Sequence, residues 1–392
     1  MTNKLIYQIG LTMINGVGDI LARQLLQTLG DAEAVFAEKQ QLLERIPGIG
    51  SFTAAEIKRP EVLLRAEKEL SFIEKNQISC YFMTEEDYPT RLRECPDAPV
   101  LFYFKGNADL NAARIISIVG TRNATDYGRD LTETLIRELA AIYPDLLVIS
   151  GLAYGIDVCA HRNALRNQLP TIGVLAHGLD RIYPSAHRNT AIEMLERGGL
   201  LTDFASGTDP DKPNFIKRNR IVAGMADATV VIESAEKGGS LITADIAFSY
   251  GRDVYCFPGR VNDSHSKGCN NLIRQNKAGL ITSASDLISA LCWEMTTSTK
   301  PDAIQTELLF PENDQHARIT AILREKGEIH INELVRALDM PVHIISTMLF
   351  EMEMNGVVKG MPGNIYKLLY IIKGCLTTTP NQTLLTLNLI LL

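Results

Sequence analysis

Paired cysteines are missing from this sequence. Its seven cysteines (Cys80, Cys95, Cys159, Cys256, Cys269, Cys292 and Cys375) include no CxxC pair, and their number is odd. That pattern argues against a disulfide framework and against a zinc site, so no metal is expected and the thiols read as reduced. An excess of positive charge is missing as well: 39 Lys and Arg stand against 46 Asp and Glu, for a net charge of -7. A generally basic nucleic-acid coat is thereby excluded, and any DNA contact must come from a local basic patch. The first residues, MTNKLIYQIG, have no signal-peptide layout, which leads us to expect a cytoplasmic protein. The most apolar stretch, 370–392, is broken by Lys373, Pro380, Asn381 and Gln382. It lacks the roughly 18 unbroken apolar residues of a spanning helix, and we expect an atypical tail outside the fold, with no membrane contact.

What is present is an ordinary folded composition, 46% apolar and 22% charged over 392 residues, enough for two to four domains at roughly 100–200 residues each. Residues 1–75 read as helices broken by glycine turns at Gly16-Val17-Gly18 and Gly48-Ile49-Gly50, with helical spacing resuming at Ile20, Leu21, Leu25 and Leu26. The pattern resembles a helix-hairpin-helix (or SAM-like) domain, whose glycines let amides approach a DNA phosphate. It also suits a helical bundle in which the glycines only make tight turns. Nearby cations are few: Arg23, Lys58 and Arg59.

Five short β-rich runs follow, at 115–119, 146–149, 171–175, 229–232 and 254–257, most of them separated by helical stretches. Residues 76–295 therefore read as an α/β, Rossmann-like domain: a mostly parallel sheet with helices on both faces, binding ligands at the carboxyl ends of its strands. Residues 296–313 look like a linker. Three helical patterns (316–326, 331–338, 343–355) and an apolar segment with a turn at Met361-Pro362-Gly363 then suit a winged-helix domain over 314–369.

Several strand exits carry candidate ligand groups. Gly120-Thr121-Arg122 ends the first run and leads to a helix near Gly128, placing a hydroxyl, amides and a cation where a phosphate would fit; Arg122 pairing with an internal acid is the alternative. It is not a GxGxxG fingerprint. The second exit holds Gly151 and Gly155, then Asp157 and His161 four residues apart on one helical face. An acid–base dyad is conceivable there, but an aspartate cap and a hydrogen-bonded histidine is the plainer expectation. The segment 211–220 packs Lys212, Lys217, Arg218 and Arg220 around Phe215, with Asn219 among them. Cations would neutralise phosphates and Phe215 would stack on an unpaired base; a basic helix start with Phe215 in the core is the alternative. Last, Gly238, Gly239, Ser240 and Thr243 form a strand-to-helix turn able to cradle an anion, and Lys267 sits at a further strand exit.

The strings IVGTRNATDYG, SGLAYGIDVCAHR, HGLDRIYPSAHRN, NFIKRNRIVAGMAD, ESAEKGGSLITADIAFSYGRDVYCFPG and KGCNNLIRQNKA occur in that order, and together they resemble the DNA-processing protein A (DprA or Smf) family over most of 80–295. The resemblance implies a protein without a catalytic reaction and without a cofactor. It would bind single-stranded DNA arriving by natural transformation, protect it, help load the recombinase RecA, and form homodimers through the α/β domain. Carried over by position, the DNA pocket would use Arg122, Lys212, Phe215 and Arg218, lined by Gly238 to Thr243. The family often has a basic residue directly after its Tyr-Pro pair; here Ser185 follows Tyr183-Pro184, with His187 and Arg188 close behind.

Two other classes compete. Nucleoside-monophosphate phosphoribohydrolases carry a Pro-Gly-Gly-x-Gly-Thr motif on a Rossmann-like domain, whereas this chain reads Lys237-Gly238-Gly239-Ser240-Leu241-Ile242-Thr243. A winged-helix regulator would want cations on its recognition helix, but 343–355 holds Glu351 and Glu353 and no Lys or Arg.

Overall fold

The computed structural model describes residues 2–293, 314–354, 357–361, 363–368, 370–372 and 375–377. The linker expected at 296–313 and most of the 370–392 tail lie outside the described residues. The chain divides into two units, Met1–Ser298 and Thr299–Leu392.

The first unit opens with helices α1 (Thr2–Thr12), α2 (Asp19–Leu29), α3 (Ala32–Ala37), α4 (Gln40–Leu43), α5 (Ser51–Ile57) and α6 (Pro60–Asn76). The two glycine turns share one geometry. Gly16 and Gly48 both adopt φ +83, a left-handed conformation that only glycine enters without strain. Gly18 and Gly50 then serve as extended N-caps of α2 and α5. The buried faces of these helices join one cluster with Phe82, Val100, Leu101 and Tyr103 from the edge of the sheet that follows, so the helices share a core with the α/β part.

That sheet has nine strands: β1 (Ser79–Phe82), β2 (Leu101–Gly106), β3 (Ile115–Val119), β4 (Leu147–Ser150), β5 (Thr171–Val174), β6 (Gly198–Thr202), β7 (Ala228–Val231), β8 (Asp253–Cys256) and β9 (Gly279–Leu280). Their order is β1-β2-β6-β5-β4-β3-β7-β8-β9. From β6 to β9 every pairing is parallel, while β1 and β2 close one edge antiparallel. The remaining helices are α7 (Thr90–Arg93), α8 (Asp126–Ile142), α9 (Ile156–Arg166), α10 (Arg188–Glu196), α11 (Lys212–Gly224), α12 (Gly239–Ser249), α13 (Lys267–Arg274) and α14 (Ala284–Ala290).

Alternation along the strands assigns the two faces. Ile116, Ile118, Val148 and Val230 pack with Leu135, Ile136 and Leu139 of α8, Ala160 of α9 and Leu287 of α14. Val119, Leu147, Ile149 and Val231 pack with Ile221 and Val222 of α11 and Ala244 and Ala247 of α12. Helices thus cover both faces of a mostly parallel sheet. Strand numbering reverses direction between β3 and β7, which are paired through Ile116↔Ala228 to Val119↔Val231 and bridged by a buried Ser117–Thr229 hydroxyl pair at 2.8 Å. Open parallel sheets bind ligands at such a reversal, beyond the carboxyl ends of the strands.

The second unit holds α15 (Asp314–Lys326), β10 (Glu328–His330), α16 (Ile331–Leu338), α17 (Val342–Met354), β11 (Val358–Met361) and β12 (Ile365–Leu368), with strand order β10-β12-β11. Three helices on a small antiparallel sheet, packed around Leu334, Ile345 and Leu349, make a winged helix. A short pair, β13 (Tyr370–Ile372) and β14 (Cys375–Thr377), follows.

Candidate nucleic-acid interface

The exits of β3, β4 and β7 interlock through glycines at the strand-order reversal. A Cβ on Gly155 would lie 2.2 Å from the Thr121 carbonyl, and its φ of +77 independently demands glycine. A Cβ on Gly120 would strike Ile156 at 2.5 Å. Thr121 donates its amide to the Glu233 carbonyl at 2.7 Å, and Ile156 donates to the Thr121 carbonyl at 3.2 Å. Gly120 and Gly155, expected at a phosphate, are thus explained by close contact among the chain's own loops, and Gly151 by the Arg218 guanidinium of α11 packed against it.

The amino end of α8 is already occupied. Thr125 caps it, and the buried carboxylate of Glu233 accepts both the Thr125 amide and its hydroxyl. The amides here were expected to be open to a phosphate; a carboxylate from β7's exit takes that place instead. At α12 the situation differs. Gly238 is an N-cap without a side-chain bond, the first turn carries no acid, and a Cβ on Gly239 would meet nothing within 4 Å. Ser240 spends its hydroxyl on Ser234 at 2.9 Å, and both Ser240 and Thr243 are buried. Any anion here would meet backbone amides, not these two hydroxyls as expected. Gly268 donates to the Ser234 carbonyl at 2.8 Å, which sets exposed Lys267 at the start of α13 beside this turn.

An aromatic ring anchors the other side. Phe215 is half-buried on α11, with the Arg122 guanidinium 5.4 Å from its centroid, the Arg218 guanidinium at 6.0 Å and the Tyr183 ring at 6.0 Å. Cations over a ring face are held by its quadrupole. Arg122 is exposed and makes no ion pair with any acid among the described residues, so the internal-acid alternative is not realised.

The basic segment divides sharply. Lys212, in the first turn of α11, is exposed and Asn219 is half-buried. Arg218 and Arg220, expected as phosphate contacts, are buried. Arg220 bonds Asp19 at 2.9 Å, Asp203 at 2.5 Å and the Asp97 carbonyl, tying α2 to the sheet. Asp19, in turn, accepts the Val100 amide at 3.1 Å. Lys217 faces Asp203 at 3.4 Å and lies over Phe204. Arg218 donates to the Val174 carbonyl beneath Gly151, whose Cβ would overlap the guanidinium. Its Nε has no hydrogen-bond partner. Burial lowers its pKa to about 10, against the raising effect of Asp157 and with further lowering from Arg122.

Asp157 and His161 do not form a dyad. Asp157 accepts the Gly151 and Ala153 amides at 3.1 and 3.4 Å, bracing the β4 loop rather than capping α9, and burial raises its pKa. His161 is bonded to Thr171 at 2.7 Å; burial, with Arg218 and His187 adding to it, lowers its pKa to about 3. Two exposed rings were given no role from the sequence: Tyr183 beside Phe215, named only as part of the Tyr-Pro pair, and Tyr154, which packs edge-on to His187 at 4.9 Å. A tyrosine between an apolar run and a helix, inside a loop of small residues, was the available signal.

No group of His, Cys, Asp and Glu among the described residues could hold a metal ion, and none of their helices is long and apolar enough to cross a membrane.

These features define an α/β protein of doubly wound type with a cationic, aromatic-lined site at its strand-order reversal. The family model for DNA recombination-mediator protein A matches residues 79–292, and that for the DprA winged helix domain matches 301–364. The chain belongs to the DNA recombination-mediator protein A (DprA/Smf) family. It is 33% identical over 295 residues to Protein Smf of Synechocystis, covering 73% of this chain and 72% of that one. It is 38% identical over 209 residues to DNA processing protein DprA of Streptococcus pneumoniae, covering 53% and 73%. The solved structure of the Streptococcus pneumoniae protein superposes with a TM-score of 0.60 at 31% identity, over 72% of this chain and 97% of that one. That of DNA processing protein A from Helicobacter pylori, described for its single-stranded DNA binding mode, gives 0.50 at 30% identity over 55% and 96%.

Proposed function

We propose that this chain binds single-stranded DNA at the Arg122–Phe215 site. The observation that carries the reading is the exposed Arg122 guanidinium, paired with no acid among the described residues and seated 5.4 Å from the centroid of Phe215. A cation beside an aromatic face is the arrangement that takes a phosphate and an unstacked base together. Lys212, Lys267 and the open amides of α12 extend the cationic edge, and Tyr183 adds a second ring. Duplex DNA keeps its bases internally stacked and gains only the phosphate term, so it binds more weakly. The single-stranded DNA binding described for the Helicobacter pylori relative supports the same reading.

Within this proposal the chain acts in the cytoplasm on DNA entering by natural transformation, protects it, and loads RecA onto it as a homodimer, without catalysing a reaction. Two copies on one strand would raise avidity through effective concentration. The test is fluorescence anisotropy of labelled single-stranded and duplex oligonucleotides over a salt series, with wild type and Arg122→Ala. A single-strand preference, a marked salt slope and loss in the variant are expected. Equal affinity for both forms of DNA would refute the site. Free-base release from nucleoside monophosphates, assayed in parallel, would move the phosphoribohydrolase reading forward; no release is expected, since the turn at Gly238-Gly239 lacks the initial proline and the third glycine of that motif.

A further inference from the structure

A groove of about 660 Å³ begins at Arg122 and runs between α8 and α9. Arg129 lines it from α8, Arg162 and Arg166 line it from α9, and Glu133 is its acidic member. Four guanidinium groups therefore face one carboxylate, in a chain whose net charge is -7.

The arginines are not consumed by neighbours. Arg129 pairs with Asp126 at 2.7 Å, but both side chains are largely exposed, and such pairs contribute little. Arg162 gives its Nε to Thr190 at 3.2 Å, which leaves its two terminal nitrogens for a ligand. Arg166 has no ion pair or hydrogen bond to another described side chain and is exposed. Arg162 and Arg166 stand four residues apart on one face of α9, about 6 Å along its axis. They are strung along the groove, as a polymer of phosphates requires; a lone phosphate would call for convergence on one point. Tyr154, 48% exposed, stands at the same groove.

We propose that this groove carries the phosphodiester backbone of a single strand as it leaves the Phe215 pocket, with Arg122 as the shared residue, Arg162 and Arg166 as phosphate contacts and Tyr154 as a stacking face. The inference rests on the reading of the Arg122–Phe215 site as a single-strand pocket. It adds a second subsite and a direction of travel across the α8–α9 face.

The two readings separate by oligonucleotide length. A labelled oligothymidylate of about 5 nucleotides fills the Phe215 pocket alone, and one of about 12 reaches the groove. The full chain, Arg162→Gln/Arg166→Gln and Arg166→Glu are titrated with both over a salt series. The double variant is expected to bind the short strand within about twofold of wild type, to lose about tenfold on the longer one, and to show a salt slope smaller by about 1.4, two single-strand phosphate contacts. Arg166→Glu should show a loss in the same direction. Unchanged melting temperatures, expected for exposed positions, verify folding. Longer-strand affinity and slope unchanged in both variants would overturn the groove while leaving the pocket standing. Wild type that binds neither strand would overturn the pocket, and the groove with it.

Discussion

Glu233 accepts two hydrogen bonds from Thr125, the hydroxyl at 2.7 Å and the amide at 2.9 Å. A carboxylate from the β7 exit thereby neutralises the positive end of α8, in the place where doubly wound proteins often hold a ligand phosphate. The arrangement leaves no room beside it: a Cβ on Gly128 would lie 2.6 Å from Glu233 Oε2. Gly128→Ala should push this buried carboxylate off Thr125 and cost about 2 kcal/mol, seen as a melting temperature lower by roughly 4–8 °C. Gly239→Ala, whose added methyl meets nothing within 4 Å, is the control and should stay within about 0.5 kcal/mol of wild type. Equal melting temperatures for Gly128→Ala and wild type would show that the contact yields freely.

Lys212 and Phe215 should fail in different ways. Lys212 is an exposed cation with no acid partner among the described residues, so Lys212→Gln should weaken binding modestly and reduce the salt slope by about 0.7, one single-strand phosphate contact. Phe215→Ala removes a ring and should cost about 1–3 kcal/mol of affinity with a smaller change in slope, while Phe215→Tyr restores most of it. Anisotropy titrations over a salt series read both quantities. Loss of the same slope in both variants would mean that Phe215 acts only by holding cations.

How far the sequence led depended on whether the deciding contacts were local. Strands β3, β4, β5, β7 and β8 were legible because each is a short apolar run buried on both faces, as 115–119 is throughout. Strands β1, β2 and β6 were not singled out. Residues Gly198 and Gly199 open β6 with φ of +133 and +159, and a Gly-Gly pair reads as a turn; its reason is that a Cβ on Gly198 would lie 1.9 Å from the Thr171 carbonyl. Of the residues of the proposed site, the sequence singled out Arg122 and Phe215, which the structure brings together, and Lys212, which it leaves exposed. Four cations in 212–220 looked equivalent, yet α11 turns Arg218 and Arg220 inward, and the acids that receive Arg220, Asp19 and Asp203, lie on other elements. Composition shows charge; only the fold shows which charges are already paired.

Arg218 and Asp157 should prove coupled. Both are buried, each shifts the other toward its charged form, and both brace the β4 loop at Gly151. Arg218→Met leaves the Asp157 carboxylate without its nearest counter-charge and should cost about 3 kcal/mol. Asp157→Asn in that background should recover part of the loss, giving a coupling of at least about 1 kcal/mol in a double-mutant cycle. Urea denaturation of the four proteins measures it, and strictly additive losses would show that the two groups do not sense each other.

His161 makes stability depend on acid. Buried against Thr171 and pushed down to about 3 by desolvation first, then by Arg218 and His187, it stays neutral in the folded chain. In the unfolded chain its imidazole titrates near 6.5. Between those values the unfolded state binds a proton that the folded state does not, so stability falls as the pH is lowered through this window and is insensitive to His161 above it. At pH 5 the loss is about 2 kcal/mol relative to pH 7. His177, also lowered by burial, adds in the same direction. Asp157 acts oppositely: its raised pKa makes the folded state hold a proton longer, so its contribution is lost as pH rises past its unfolded value. Comparing wild type with His161→Gln at each pH isolates the histidine. Unfolding free energies from urea titrations at pH 7, 6 and 5 should converge as the pH falls, because only wild type carries the proton uptake. Curves that stay parallel would mean His161 accepts its proton without unfolding.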